Sequence, residues 1–270
     1  MTKPPKSRAD DLQPPDLRTE HLQPEIRTVW ERAEPAPRPA PVPLSRDGIV
    51  RAAIAIADAE DLAAVSLRKV AAALDAGPMR LYGFMSTKDE LLDLMADAVY
   101  AEMVPDEAAT RDWRDALRVF ARETRRIAHQ HPWFVDLLGG RPRLGPNTLA
   151  HMERLLAALH AAPGFESIDA AVQAAKTINA YVIGVVRSEV SEIIAERESG
   201  MDKAAWQSAN WHYMQRVIAT GRFPTLAKVV RDASHPPADA VFDHGLDCVL
   251  DGIALRLLET KKKKKKSRVR

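Results

Sequence analysis

From residue 44 onward the chain is a series of amphipathic segments divided by proline and glycine, a pattern that few folds can produce. Apolar residues recur at three- and four-residue spacing, the period of an α-helix that packs on one face. Beyond residue 105 the segments with this period lie near residues 112–130, 147–161, 168–198, 203–220 and 239–258. Because no alternating strand pattern lies between them, the sequence predicts an all-α fold.

Four shorter helices precede these segments. Ser45 and Ser66 are suited to cap the first and second helices, because a serine hydroxyl accepts from the free amides of a first turn. Pro78 suits the first position of a short third helix. Thr87 with Glu90 forms a capping box before the fourth.

The second and third of these helices, within residues 66–85, have the proportions of a helix-turn-helix. Leu67, Val70 and Leu74 form one apolar stripe that a supporting helix can cover, and Gly77 permits a tight turn. Arg80 and Tyr82 then stand on the short helix that follows. The pattern alone leaves two interpretations open, a DNA-reading motif and a packing corner in a helical core.

Charge and composition exclude several classes of protein. The net charge of +2 is the sum of +8 from residues 261–270 and −6 from the rest, so bulk charge does not indicate nucleic acid. A single cysteine, Cys248, excludes an internal disulfide framework and fits a cytoplasmic location.

No apolar run approaches the ~20 residues of a membrane span, and no secretory signal is expected. No catalytic motif, cofactor motif or metal-ligand spacing is present, so we expect neither an enzyme nor a metal site.

Several runs resemble the DNA-binding signature of tetracycline-repressor-type (TetR/AcrR) regulators: LSRDGIV at 44–50, VSLRKVA at 65–71, GPMRLY at 77–82 and KDELL at 88–92. The close match covers about residues 45–105. A weaker one covers 112–258, where residues 139–142 and 242–252 resemble the subgroup nearest the tetracycline repressor. The resemblance implies an N-terminal three-helix helix-turn-helix domain and a larger C-terminal helical bundle that dimerises.

The same resemblance implies a domain order and a function. We expect a proline-rich disordered arm at 1–43, a helix-turn-helix DNA-binding domain at 44–90, a helical ligand-binding and dimerisation domain at 91–258 and a basic disordered tail at 259–270. The expected function is repression of transcription from an inverted-repeat operator, relieved by a small organic effector. An architectural DNA-binding protein without an effector is the alternative.

Positions that match the family signature take their roles from it. Ser66 is expected to cap its helix near a phosphate, while Arg68 and Arg80 approach bases, since arginine pairs well with guanine. Tyr82 and Lys88 are expected to hold phosphates, which fixes orientation without reading sequence. The complete set of expected DNA-binding residues is Ser66, Arg68, Lys69, Pro78, Met79, Arg80, Tyr82, Phe84 and Lys88.

The chain also departs from the family pattern. Asp75 replaces the usual glycine of the turn, which is tolerable. Phe84 replaces a histidine that contacts the DNA backbone, so that contact is lost or replaced by apolar packing. Where the tetracycline repressor holds magnesium with a histidine and a glutamate, this chain has Leu137 and Ser188, and neither is a good ligand for a hard ion.

Residues from several C-terminal helices can line an apolar pocket with polar anchors, or can simply form core. They are Trp133, Phe134, His151, Met152, Asn179, Tyr181, Trp206, Trp211 and Met214. Likewise, residues 170–194 and 241–258 correspond to the family's four-helix dimer interface, or to an internal helix pair. A homodimer is expected because one short reading helix per chain needs two half-sites.

Overall fold

The computed structural model describes residues 28–35, 43–103 and 112–268, with side chains to residue 259. The α-helices are α1 (Arg46–Ala59), α2 (Leu67–Ala73), α3 (Pro78–Leu81), α4 (Lys88–Ala101), α5 (Trp113–Gln130), α6 (Pro146–His160), α7 (Ile168–Ser199), α8 (Lys203–Ala219), α9 (Pro224–Asp232) and α10 (Ala238–Arg268). Two 3-10 helices, Val29–Glu31 and Pro132–Leu137, complete the elements. The described residues contain no strand, which confirms the all-α fold.

Two compact units divide the chain, one over residues 1–33 and one over residues 34–270. Most of the expected proline-rich arm lies outside the described residues. Within the first unit, the Val29–Glu31 helix is closed by its own cap, because the Thr28 amide donates to Glu31 Oε2 at 2.9 Å. All helices from α1 to α10 belong to the second unit.

Local capping fixes where the N-terminal helices begin. Ser45 Oγ accepts from the Gly48 amide at 3.1 Å, and Ser66 Oγ accepts from the Lys69 amide at 3.2 Å. Thr87 Oγ1 accepts from the Glu90 amide at 3.1 Å. The three predicted caps are therefore confirmed. The Glu90 carboxylate reaches one residue further back than a standard capping box, to the amide of Ser86.

Side chains from α1 to α4 share one core. α1 packs on both α2 and α4, and α2 packs on α3. Ile49, Val70, Leu81 and Met95 are fully buried, one from each of these four helices. Since α3 has only four residues, Leu81 is the anchor that holds it against the rest.

The C-terminal helices enclose a second core, formed where α5, α6, α7 and α10 meet. Phe165, Ile178, Val182 and Phe242 are among its most buried side chains. α4 packs on α6 as well as on α1, so one helix adjoins both groups of helices. No helix in the described ranges is long and apolar enough to cross a membrane.

Four ion pairs at four-residue steps, or nearly so, join α5 to the antiparallel α10. They are Arg114–Asp251 at 2.8 Å, Arg118–Asp247 at 2.9 Å, Arg122–Asp243 at 3.0 Å and Arg125–Asp239 at 2.8 Å. Exposed pairs of this kind contribute little energy each. Their regular spacing nevertheless fixes the axial register of the two helices.

Three elements differ from the prediction. The helices Pro132–Leu137 and α9 begin at prolines that the sequence pattern treats only as breaks, whereas proline is favourable at a first helical position. α10 continues to Arg268, where a disordered tail from residue 259 is expected. Lysine is a good helix former, so a run of lysines can extend a helix that already exists.

Candidate functional site

The turn between α2 and α3 reverses at Asp75, whose φ of 49° is left-handed. The Ala76 amide donates to Ala71 O at 2.9 Å and closes the end of α2. Gly77 is extended at φ −70°, so the turn does not use its conformational freedom. Aspartate thus takes the conformation for which the family signature has glycine, at modest cost.

Helix α3 presents a surface to solvent while Leu81 anchors it. Met79 is 78% exposed and Tyr82, just after the helix, is 48% exposed. Pro78 is exposed and Arg80 is half-buried. An exposed methionine beside an arginine and a tyrosine combines an apolar group with two hydrogen-bonding groups, which suits a DNA groove.

The other residues expected to contact DNA lie at the starts of α2 and α4, the helices that precede and follow α3 in the chain. Ser66 and Arg68 are exposed at the start of α2. Lys88 is exposed at the start of α4, with its Nζ 3.5 Å from Leu62 O. The Lys69 ammonium pairs with Glu60 at 2.5 Å.

Phe84 does not belong to the surface. It is 7% exposed and packs in the core of α1–α4. Of the two outcomes expected for this position, apolar packing is the one observed. Phe84 is therefore removed from the DNA-binding candidates.

A buried histidine links the N-terminal helices to the C-terminal ones. His131 is 5% exposed, with Nδ1 2.7 Å from Asp58 Oδ1 on α1 and Nε2 3.3 Å from Glu102 Oε2 at the end of α4. Trp133 Nε1 donates to the same Asp58 oxygen at 2.6 Å. We call Asp58, Glu102, His131 and Trp133 the joint.

A second link holds α6 to α4. Asp97 is 2% exposed, and its Oδ1 accepts from the Thr148 amide at 2.8 Å and from Thr148 Oγ1 at 2.9 Å. Its Oδ2 accepts from Asn147 Nδ2 at 2.8 Å. The carboxylate thus caps α6 from a neighbouring helix, where the positive end of the helix dipole favours it. An ion pair between Arg143 and Asp93 lies beside it.

Aromatic rings cluster between these two links. His151 of α6 lies 5.5 Å from the Tyr100 ring and 5.3 Å from the Phe120 ring. Tyr100 meets Phe134 edge to face at 5.4 Å, and Phe134 meets Trp133 of the joint at 6.3 Å. We call Tyr100, Phe120, Phe134 and His151 the aromatic cluster.

Three of the nine pocket candidates, Trp133, Phe134 and His151, are part of this arrangement. Tyr181 instead donates its hydroxyl to Phe242 O at 2.6 Å and so fixes α10 on α7. Asn179 and Met214 are half-buried, Met152 is exposed, and so are Trp206 and Trp211. α8 buries none of its side chains, so within the single chain the core alternative does not hold for Trp206, Trp211 and Met214.

Sequence reasoning missed Asp58, Asp97, Tyr100, Glu102 and Phe120. Tyr100 lies on the apolar face of α4, so its aromatic character was an available signal. No sequence pattern indicated that the three carboxylates have partners on distant elements. An acidic residue on an amphipathic helix normally faces water, and only a distant partner reveals that it does not.

Known proteins share this arrangement of helices. A family model described as "Tetracyclin repressor-like, C-terminal domain" matches residues 104–257. The HTH-type transcriptional repressor DrrR1 of Streptomyces coeruleorubidus is 36% identical over 230 residues, covering 84% of this chain and 84% of that protein. Among solved structures, apo ActR from Streptomyces coelicolor has a TM-score of 0.65 and 28% identity, covering 82% of this chain and 100% of that one. ActR in complex with actinorhodin also has a TM-score of 0.65 and 28% identity, covering 80% and 96%.

Proposed function

Because this chain belongs to the tetracycline-repressor family of helix-turn-helix transcriptional regulators, we propose that it represses transcription from an inverted-repeat operator until a small organic effector releases it. The observation that carries the proposal is the surface of α3, where Met79, Arg80 and Tyr82 surround the buried anchor Leu81. Its action requires binding and a change of conformation and no catalytic step.

In the proposed complex, α3 enters the major groove. Arg80 reads a guanine and Met79 offers an apolar contact to a thymine methyl group. Arg68, at the start of α2, approaches a neighbouring base. Tyr82 and Lys88 hold phosphates and set the angle of the helix.

The proposed homodimer forms through α7 and α10. These helices pack on each other within the chain, yet α10 leaves Val241, Leu255 and Leu258 more than half exposed. One face of α10 is already packed within the chain. The exposed apolar stripe is therefore suited to contact α7 and α10 of a second copy. Trp206 and Trp211 add exposed aromatic surface on α8.

The effector is proposed to bind at the aromatic cluster. From there Phe134 and Trp133 lead to the joint, where Asp58 belongs to α1. An effector releases DNA only if it prefers a conformation in which the two reading helices are wrongly spaced. Moving operator occupancy from nearly full to nearly empty requires a preference of ~10⁴-fold between the two conformations.

We expect the protein to bind an inverted repeat as a dimer, or as a pair of dimers, with half-site centres roughly 34–36 Å apart. Selection of bound sequences from random DNA will identify the repeat, and sedimentation of the complex will give the number of chains bound. A fragment with scrambled half-sites is the control, and it separates a regulator from an architectural DNA-binding protein. Full affinity of a single chain for a site without a repeat would rule out the proposal.

Magnesium–tetracycline is not the expected effector. Leu137 and Ser188 stand where the tetracycline repressor has magnesium ligands, and the adjacent Glu189 already pairs with Arg125 at 2.9 Å and with His129 at 2.7 Å. We expect calorimetry with tetracycline to show no tight binding, with or without magnesium. Tight binding that depends on magnesium would contradict this prediction.

A further inference from the structure

One polar atom of the aromatic cluster has no partner. His151 Nε2 is buried, and the described part of the chain offers it no hydrogen-bonding group. Buried polar side-chain atoms are nearly always hydrogen-bonded, so each exception requires an explanation. A ligand that supplies the missing partner is one such explanation.

The contact of the other ring nitrogen, Nδ1, determines whether the missing partner is a hydrogen-bond donor or an acceptor. His151 Nδ1 lies 3.5 Å from Arg154 Nη2. An arginine side chain donates hydrogen bonds and never accepts them. The contact is therefore favourable only when Nδ1 carries no proton, which places the proton of the neutral ring on Nε2.

The surroundings of His151 favour a neutral ring at physiological pH. Burial, and secondly the nearby charge of Arg154, lower the pKa of His151 to about 4, against a smaller opposing effect of Glu123. Nε2 is thus an N–H donor in a neutral ring, and the group it lacks is an acceptor. The same two causes disfavour a cationic histidine, which would attract an anion.

The side chains around His151 indicate the shape and the charge of the rest of the ligand. Tyr100 and Phe120 lie beside the His151 ring, and Phe134 lies beyond Tyr100. Aromatic side chains pack well on flat ring systems in offset or edge-to-face geometry. A charged group would lose its hydration among these rings, so the acceptor is an uncharged one.

We propose that His151 donates its Nε2–H to a carbonyl oxygen of a flat, uncharged ring compound that packs on Tyr100, Phe120 and Phe134. This inference rests on the proposed function, in that it assigns a chemical class to the effector of the same site. It also assigns the two parts of recognition, with the rings holding the body of the ligand and His151 selecting for the carbonyl group.

The test compares two probes of one shape, 9-fluorenone, which has a carbonyl oxygen, and fluorene, which does not. Binding to the full-length protein is measured by quenching of tryptophan fluorescence. We expect fluorenone to bind ~10-fold more tightly or better, the usual effect of one buried hydrogen bond. Fluorene-9-carboxylate, which offers a charged acceptor, is expected to bind more weakly than fluorenone.

Two variants locate the effect. His151→Phe keeps a ring and loses the donor, so it should bind fluorenone and fluorene equally. Glu153→Gln, an exposed change on the same helix, should keep the preference. Thermal melting of each variant shows whether it folds. A preference that survives in His151→Phe, equal binding by the unmodified protein, or no binding of either probe each overturns the inference.

A second measurement is independent of the choice of probe. Nitrogen-15 spectra of labelled histidine distinguish the two neutral forms of the ring. A proton found on Nδ1 of His151 would overturn the inference without any ligand. Retardation of the operator fragment, measured on the same samples, separates the two proposals, because DNA binding that persists while the probe test fails leaves the proposed function standing.

Discussion

Replacing Arg80 by alanine is expected to weaken operator binding by ~1–3 kcal/mol at each half-site and to relax the preference at one base pair. A dimer carries the change twice, so the affinity should fall by roughly 30- to 2 × 10⁴-fold. The physical reason is that Leu81 fixes α3 in place, so that a guanidinium at position 80 can meet a base edge with two hydrogen bonds. Binding to a library of single-base operator variants measures both effects.

Lys88→Ala is the matched control for Arg80→Ala. Lys88 lies at the start of α4, outside the reading helix, and its proposed contact is a phosphate. Its loss should weaken all operator variants similarly and should reduce the salt dependence of binding by about one ion. If both changes relaxed the sequence preference equally, the assignment of roles would be wrong.

Replacing Asp97 by alanine is expected to destabilise the fold by ~3–5 kcal/mol, which lowers the melting temperature by roughly 10 °C. The carboxylate is 2% exposed and accepts from the amide and hydroxyl of Thr148 and from Asn147 Nδ2. These donors lose their acceptor together, within the contact between α4 and α6. Differential scanning calorimetry measures the shift.

Two further variants test whether the carboxylate causes this loss. Asp97→Asn keeps one acceptor oxygen and should destabilise by an intermediate amount. Gly145→Ala should also destabilise, since a Cβ at position 145 would overlap the Asp97 carboxylate. In the double variant with Asp97→Ala the overlap with the carboxylate is removed, but the Cβ at position 97 remains 2.7 Å from the new Cβ, so the alanine at 145 should cost less than in the unmodified protein and still destabilise. Additive losses in the double variant would show that the two residues do not interact.

The features that sequence predicted well are those set by neighbouring residues. The caps at Ser45, Ser66 and Thr87 depend on groups three residues away, and each is observed. The resemblance to a known family added what periodicity alone left open, the choice of a helix-turn-helix over a packing corner. The turn at Asp75 followed from that resemblance in the same way.

Contacts between distant residues were beyond the reach of the same reasoning. Asp58 and His131 are 73 residues apart, and Asp97 and Thr148 are 51 apart. Helical periodicity shows which face of a helix is apolar and does not show which helix covers it. The tryptophans of α8 illustrate the point, because an apolar pattern suggested a pocket and the single chain leaves them exposed.

The joint limits how the DNA-reading part of this regulator can be fused to the sensor domain of another protein. A cut between residues 90 and 91, the expected domain boundary, puts Asp58 in one part and Glu102, His131 and Trp133 in the other. A chimera that grafts a foreign sensor onto this DNA-reading part would leave Asp58 without the imidazole and indole that hydrogen-bond to it. The two parts are thus not freely interchangeable modules. A working hybrid would have to import matched residues on both sides of the cut.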